Sequence, residues 1–231
     1  MKTIGLIGGM SWESSSEYYR IINETTKAKL GGLHSAKSLM YTVDFAEIEA
    51  LQHQDKWDEA AAVLTQAAKG LEVAGADFLV LCTNTMHKVV PQIQSQVSIP
   101  FLHIADPTAE QIKSHGLKRI GLLGTRFTME QDFYKERLCC QHGLEVLIPN
   151  QHQRDLVHRV IYEELCQGIV NPASKAAYVT IMDDLAASGA EGIILGCTEI
   201  TLLVNQADSK LPLFDTTRIH AVAAVTRALQ P

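Results

Sequence analysis

The feature of this sequence that most constrains its fold is an internal repeat, which relates the first part of the chain to the second. Residues 2–8, K-T-I-G-L-I-G, align with residues 118–124, K-R-I-G-L-L-G. At an almost constant spacing, G-A-D at 75–77 aligns with G-A-E at 189–191, and I-P-F-L-H at 99–103 aligns with L-P-L-F-D at 211–215. Three matches in the same order predict two halves with one shared topology.

The rest of the chain alternates short apolar runs with longer segments of helical periodicity, most clearly at 57–74 and 173–188. This alternation is typical of parallel βαβ units. We therefore predict an α/β fold of two similar domains related by a pseudo-twofold axis, each a mainly parallel sheet flanked by helices, with the active site in the cleft between them. The first domain is predicted at 1–103 and the second at 104–217, with a C-terminal helix at about 218–231 that can pack back on the first. The predicted strands are 3–7, 38–43, 78–82, 101–103, 119–123, 146–148, 192–195 and 213–215.

The composition excludes several classes of function. Hydrophobic residues make up 46% of the 231 residues, which supports a full core, and the net charge of -6 comes without any cluster of Lys and Arg. We therefore expect no nucleic-acid partner. No signal peptide is visible and no apolar run reaches the length of a membrane span, so we expect a cytoplasmic protein without a membrane partner. The five cysteines lack C-x-x-C spacing, which argues against a disulfide framework and against a structural metal site.

A polar cluster follows the same predicted strand in each half. C-T-N-T-M at 82–86 follows the first copy of this strand, G-C-T-E at 196–199 follows the second, and the repeat pairs Thr83 with Cys197. Ligands of open parallel sheets bind beyond the carboxyl ends of the strands, so Thr83 and Cys197 are expected to flank one cleft. Two such residues on opposite sides of one cleft suit racemisation, because this reaction needs an acid/base group on each side of a carbon atom. An unperturbed cysteine thiol, with a pKa of about 8.5, can act as either acid or base near neutral pH.

These clusters, T-N-T-M-H at 83–87 and G-C-T-E at 196–199, together with the opening G-L-I-G-G-M-S-W, resemble the aspartate/glutamate racemase family over nearly the whole chain. The resemblance implies a racemase of two α/β domains that uses no cofactor, acts on an acidic amino acid and is often a homodimer. It also implies Cys197 as one catalytic acid/base. The residues that we expect to contact the substrate are Met10, Gln52, Asn84, Thr85, Thr125, Thr198 and Glu199.

The sequence departs from this family at the first catalytic position, where Thr83 stands in place of a cysteine and Cys82 lies one residue earlier. Consecutive strand side chains point to opposite faces, so Cys82 cannot replace Thr83 without a rearrangement of the backbone. We therefore predict an asymmetric racemase with a preference for the L side, in which Cys197 is the competent base and Thr83 the weaker partner. Cys166 stands where several relatives have a carboxylate-binding lysine, which leaves side-chain recognition open.

Some residues allow two interpretations. Thr83 is a candidate helix N-cap as well as a proton donor, and His87 is either an orienting group or a packed histidine. Glu199 either tunes the thiol of Cys197, whose pKa its charge would raise, or contacts the substrate ammonium group. Two alternative functions also remain: an isomerase or decarboxylase of dicarboxylic acids with a catalytic cysteine, and a protein that binds an amino acid without catalysis.

Overall fold

The computed structural model describes residues 1–231 and divides into two compact units. The first unit comprises Met1–Ile104 together with His220–Pro231, and the second comprises Ala105–Ile219. Each unit contains one four-stranded sheet in which every pair of neighbouring strands is parallel. No helix of the chain combines the length and the hydrophobicity that crossing a bilayer requires.

The first unit begins with a strand and returns to its sheet after each helical segment. Its strands are β1 (Ile4–Gly8), β2 (Ser38–Thr42), β3 (Phe78–Leu81) and β4 (Phe101–Leu102). Its helices are α1 (Trp12–Leu30), α2 (Phe45–His53), α3 (Trp57–Val73) and α4 (Val90–Gln94), with a 3-10 helix at Thr85–Val89. The strand order is β2-β1-β3-β4, which places β1 and β3 in the centre of the sheet.

The second unit repeats this plan. Its strands are β5 (Arg119–Gly124), β6 (Glu145–Leu147), β7 (Gly192–Gly196) and β8 (Leu213–Asp215), in the order β6-β5-β7-β8. Its helices are α5 (Ala105–Ser114), α6 (Arg126–Glu130), α7 (Asp132–Glu136), α8 (Gln151–Glu163), α9 (Pro172–Ala187) and α10 (Ile200–Leu203). Short helical turns lie at Arg137–Gln141, Leu165–Gln167 and Gln206–Asp208. The last helix, α11 (Thr216–Leu229), starts among the residues of this unit and continues from His220 among those of the first.

The predicted fold class is confirmed. All eight predicted strands are present, with ends that differ from the prediction by at most one residue, and the helices predicted at 57–74 and 173–188 correspond to α3 and α9. The three sequence matches align β1 with β5, β3 with β7 and β4 with β8, which occupy equivalent places in the two sheets. Repetition of sequence therefore reflects repetition of strand order.

Helices cover the first sheet because its central strands are apolar on both faces. On one face, Ile4 and Leu6 belong to a buried cluster that also contains Tyr18 of α1. The α11 residues of this cluster are Ala221, Ala224, Val225 and Ala228. Their spacing forms a single stripe on a helix, which explains why α11 packs on this sheet. On the other face, α3 packs against β1 and β2.

The turn from β1 into α1 requires a glycine. Gly9 has a positive φ of 100°, and a Cβ atom built there would overlap the backbone of Val43, whose N–H donates to the Gly8 carbonyl. Gly75 has nearly the same φ, 95°, but a Cβ atom there would meet nothing within 4 Å. The two glycines therefore share a backbone conformation and differ in the space around them.

We expect Gly9→Ala to lower the free energy of unfolding by roughly 2–5 kcal/mol, because backbone strain and steric overlap add. Gly75→Ala is the matched control. Its free energy of unfolding should fall only by the cost of backbone strain, about 1–2 kcal/mol. Urea unfolding followed by circular dichroism measures both changes. Equal losses in the two variants would contradict the close packing assigned to Gly9.

Candidate active site

In the first unit, the candidate catalytic residue Thr83 directly follows the ladder of β3. The N–H of Cys82 still donates to the Ile7 carbonyl of β1 at 2.9 Å, whereas the N–H of Thr83 turns back to the Leu81 carbonyl, also at 2.9 Å. Cys82 lies in the buried core, and desolvation raises the pKa of its thiol. Thr83 is half-buried instead. The two neighbouring side chains therefore have different environments, and Cys82 is a packing residue.

The polar residues after Thr83 are buried. Asn84 and Thr85 are 4% and 5% exposed, and the 3-10 helix Thr85–Val89 has its N-cap at Asn84. Thr83 therefore does not occupy the N-cap position that the sequence allowed for it. The helices after β3 are short, so the chain here is a compact polar turn rather than the start of a long helix.

Met10 and Gln52 lie in the same unit and are also buried. Gln52, on α2, donates from Nε2 to the sulfur of Met86 at 2.9 Å, which places this amide beside the turn that holds Thr85. Met10 follows Gly9 at the end of β1, the strand adjacent to β3. The predicted residues of the first unit thus come from β1, α2 and the segment after β3.

In the second unit, Cys197 follows β7 and is half-buried. Its Sγ–H donates to Oε2 of Glu199 at 2.9 Å, and Glu199 is only 7% exposed. Burial and the negative charge of Glu199 raise the pKa of the Cys197 thiol well above its usual range. At neutral pH the resting form is therefore a protonated thiol that is hydrogen-bonded to a carboxylate.

Thr125 and Thr198 lie at the end of the second sheet at which Cys197 follows β7. Thr125, 5% exposed, is the N-cap of α6 and accepts from the N–H of Thr128 at 3.4 Å. Thr198 shares a hydrogen bond of 3.0 Å with the hydroxyl of Thr217. Thr216 donates to the Leu195 carbonyl at 2.9 Å. The bonds of Thr198 and Thr216 therefore connect the end of β7 to the segment that follows β8.

Thr216 and Thr217, both buried, were not among the predicted site residues, although they directly follow the third match of the repeat. Tyr178 was not predicted either. Burial raises its pKa well above the usual value, with further contributions from the charges of Cys197, Glu164 and Cys166. Of these groups, Cys166 also contributes to the raised pKa of the Cys197 thiol. No local pattern in the sequence identifies Tyr178, which is one residue of an apolar helix face.

His87, for which the sequence allowed an orienting role, is buried, and both of its ring nitrogens bond to backbone groups. It bonds the Thr83 carbonyl through Nδ1 at 2.7 Å and receives the N–H of Ile104 at Nε2, at 3.1 Å. Thr83 and Cys197 thus follow equivalent strands of the two sheets, β3 and β7. The hydroxyl of Thr83 stands in the first unit and the thiol of Cys197 in the second.

Comparison with known proteins identifies the family. The model of the Asp/Glu/hydantoin racemase family matches residues 7–224. The broad-specificity amino-acid racemase RacX of Bacillus subtilis is 26% identical over 98% of both chains. An aspartate racemase homologue from Pyrococcus horikoshii is 35% identical with a TM-score of 0.86, and a candidate Asp/Glu racemase from Yersinia pestis is 57% identical with a TM-score of 0.94, each over the full length of both chains. The chain therefore belongs to the Asp/Glu/hydantoin racemase family, a family of isomerases, as the motifs after β3 and β7 predicted.

Proposed function

We propose that the protein racemises an acidic amino acid, aspartate or glutamate, by removing the α-proton from one face and returning a proton to the other. The observation that carries this proposal is the thiol of Cys197, hydrogen-bonded to the buried carboxylate of Glu199 at 2.9 Å. A thiol paired with a carboxylate can pass a proton in either direction, as a reversible acid/base requires. The names of the relatives, a broad-specificity amino-acid racemase and an aspartate racemase homologue, support an amino-acid substrate.

In the proposed mechanism, Cys197 is protonated at rest because the pKa of its thiol is raised, so Glu199 must accept this proton before the α-proton is removed. The resulting thiolate removes the α-proton of the substrate, which leaves a carbanion stabilised by the adjacent carboxylate group. Thr83 then delivers its hydroxyl proton to the opposite face and regains one from solvent, while Glu199 releases to solvent the proton that it took from Cys197. The reverse reaction runs through the same groups in the opposite order.

The two proposed catalytic groups are chemically unequal. A threonine hydroxyl is a far weaker acid than a thiol, so removal of the α-proton by Thr83 is the harder half-reaction. The two enantiomers have equal free energies, and kcat/KM must therefore be equal in the two directions. The proposed preference for the L side consequently appears in kcat and KM separately, or in exchange of the α-proton without inversion.

We propose that the substrate is held by buried or half-buried polar groups, most of them neutral. Asn84 and Thr85 of the first unit and Thr125 and Thr198 of the second would donate hydrogen bonds to its carboxylate groups, and Glu199 would meet its ammonium group. The proposed contacts of Met10 and Gln52 set the shape of the pocket.

We further propose a homodimer formed through the free edge of β2, which pairs only with β1. Met40 and Tyr41 on this strand are 40% and 44% exposed, and Trp12 and Tyr19 on α1 are 68% and 55% exposed. A groove of about 370 Å³ lies between these elements. A free edge can pair with its own copy across a twofold axis, because antiparallel pairing of identical strands is self-complementary.

The proposed reaction predicts that Cys197→Ser loses α-proton exchange by about 10²–10⁴-fold, the usual contribution of one acid/base group. The matched control is Cys139→Ser, at an exposed cysteine, which should keep most of the activity. Exchange is measured by NMR in heavy water with each enantiomer of aspartate and glutamate supplied separately. Binding of these amino acids without exchange in the wild-type protein would favour the non-catalytic alternative, and turnover of dicarboxylic acids alone would favour the other isomerase reaction.

The charge of Glu199 leads to a separate prediction about the pKa of the Cys197 thiol. Glu199→Gln removes a negative charge from beside the thiol, so the pKa of Cys197 should fall and alkylation by iodoacetamide at neutral pH should become faster. Racemisation should nevertheless slow by roughly 10²-fold, since the thiol loses its proton acceptor. Cys139 and Cys140 are exposed and should be replaced by serine in every protein compared. The exposed Glu163→Gln provides the control, and slower alkylation in Glu199→Gln would refute the assigned electrostatics.

The proposed homodimer predicts that Met40→Lys shifts the protein toward monomer, because it places a charge in the apolar edge of β2. Val73→Lys, at an 89% exposed position on α3, is the matched control and should leave the oligomeric state unchanged. Sedimentation velocity over a concentration series measures the distribution. A wild-type protein that remains monomeric at all concentrations would contradict the proposed dimer.

A further inference from the structure

The side chain of His87 links two backbone groups in the buried part of the first unit. An amide N–H can only donate a hydrogen bond, so the Nε2 atom that receives the N–H of Ile104 at 3.1 Å carries no proton. The proton of the neutral ring is therefore on Nδ1, which donates to the Thr83 carbonyl at 2.7 Å. The hydrogen bonds thus select one tautomer of His87.

The hydrogen bond from His87 to the Thr83 carbonyl completes the restraint of the Thr83 backbone. The N–H of Thr83 donates to the Leu81 carbonyl, and its C=O accepts from His87, so the peptide groups on both sides of the Thr83 Cα are held. With these two groups fixed, the direction of the Cα–Cβ bond is fixed as well. The position of the Thr83 hydroxyl therefore depends on His87 through the backbone.

The ring of His87 is held in place by two other histidines. His103 lies with its ring centroid 4.5 Å from that of His87, and His220 lies 5.9 Å away. His220 donates from Nε2 to the Leu102 carbonyl at 2.8 Å and accepts from the hydroxyl of Tyr18 at 2.9 Å. Since all three histidines are at most 8% exposed, the His87 ring has little room to rotate.

We infer that His87 is a positioning residue for Thr83: it holds the Thr83 carbonyl, and through it the hydroxyl, at the place from which the proton is delivered. The inference rests on the proposed function, in which Thr83 is the second acid/base. Proton transfer requires hydrogen-bond reach between donor and acceptor, and a displacement of about 1 Å can cost roughly 10²-fold in rate. Loss of the His87 bond should therefore slow the step that uses Thr83 and leave the step that uses Cys197 intact.

Two substitutions separate the bonds of His87. In His87→Asn, the amide nitrogen can take the place of Nδ1 and donate to the Thr83 carbonyl, but the side chain is too short to reach Ile104. In His87→Gln, the amide oxygen can take the place of Nε2 and accept from Ile104, while the bond to Thr83 is lost. We expect His87→Asn to retain most of the inversion rate and His87→Gln to lose roughly 10²-fold.

The measurement is α-proton exchange and inversion by NMR and circular dichroism in heavy water, for both enantiomers, with urea unfolding to compare stabilities. Exchange that depends on Cys197 should persist in both variants. The same His87→Gln change is then made in Thr83→Ala, where it should have no further effect if His87 acts through Thr83. If His87 had a purely structural role, His87→Gln would lower the rate by the same factor in both backgrounds, and the inference would be overturned. Equal inversion rates in the Asn and Gln variants would overturn it as well.

A third readout needs no turnover. Nitrogen-15 NMR of the labelled protein should show His87 protonated at Nδ1 and unprotonated at Nε2, and the opposite tautomer would overturn the inference. Failure of the proposed function is distinguishable from failure of this inference. A wild-type protein without exchange at either enantiomer would contradict both, whereas a wild-type protein that racemises while His87→Gln inverts at the normal rate would contradict the inference alone.

Discussion

The burial of parallel strands on both faces is the constraint on which the rest of this structure depends. β1, β3 and β7 are buried along their whole length, so their side chains are apolar on both sides of the sheet. Polar residues are therefore found in the segments that follow these strands, not within them. In both units the proposed acid/base residue is found there, with Thr83 after β3 and Cys197 after β7.

The two equivalent positions are held by different kinds of hydrogen bond. The side chain of Cys197 donates to a carboxylate, which acts directly on the reactive atom and raises its pKa. Thr83 is restrained through its backbone, because the partner of its carbonyl is the neutral ring of His87. A thiol has a pKa that a neighbouring charge can move, whereas a threonine hydroxyl does not ionise near neutral pH and is controlled only by position.

The divergence of the repeat extends to the neighbouring positions. Asn84 and Thr85 correspond to Thr198 and Glu199, so the charged residue occurs only in the half that carries the thiol. His103, at the end of β4, corresponds to Asp215 at the end of β8, where the aspartate accepts from the N–H groups of Thr217 and Arg218. The shared topology is therefore retained by the apolar positions, while the polar positions at the strand ends have separate roles in each half.

The sequence by itself determined the elements whose signal is local or repeated. The eight strands, α3 and α9 follow from periodicity, and the equivalence of Thr83 and Cys197 follows from the repeat. The tertiary structure alone decided the partners of these residues. The bond between Ile104 and His87 and the bond between Thr198 and Thr217 join residues 17 and 19 positions apart in the chain. Such contacts depend on how whole elements pack, because no short-range pattern in a sequence records which distant backbone group a buried side chain will meet.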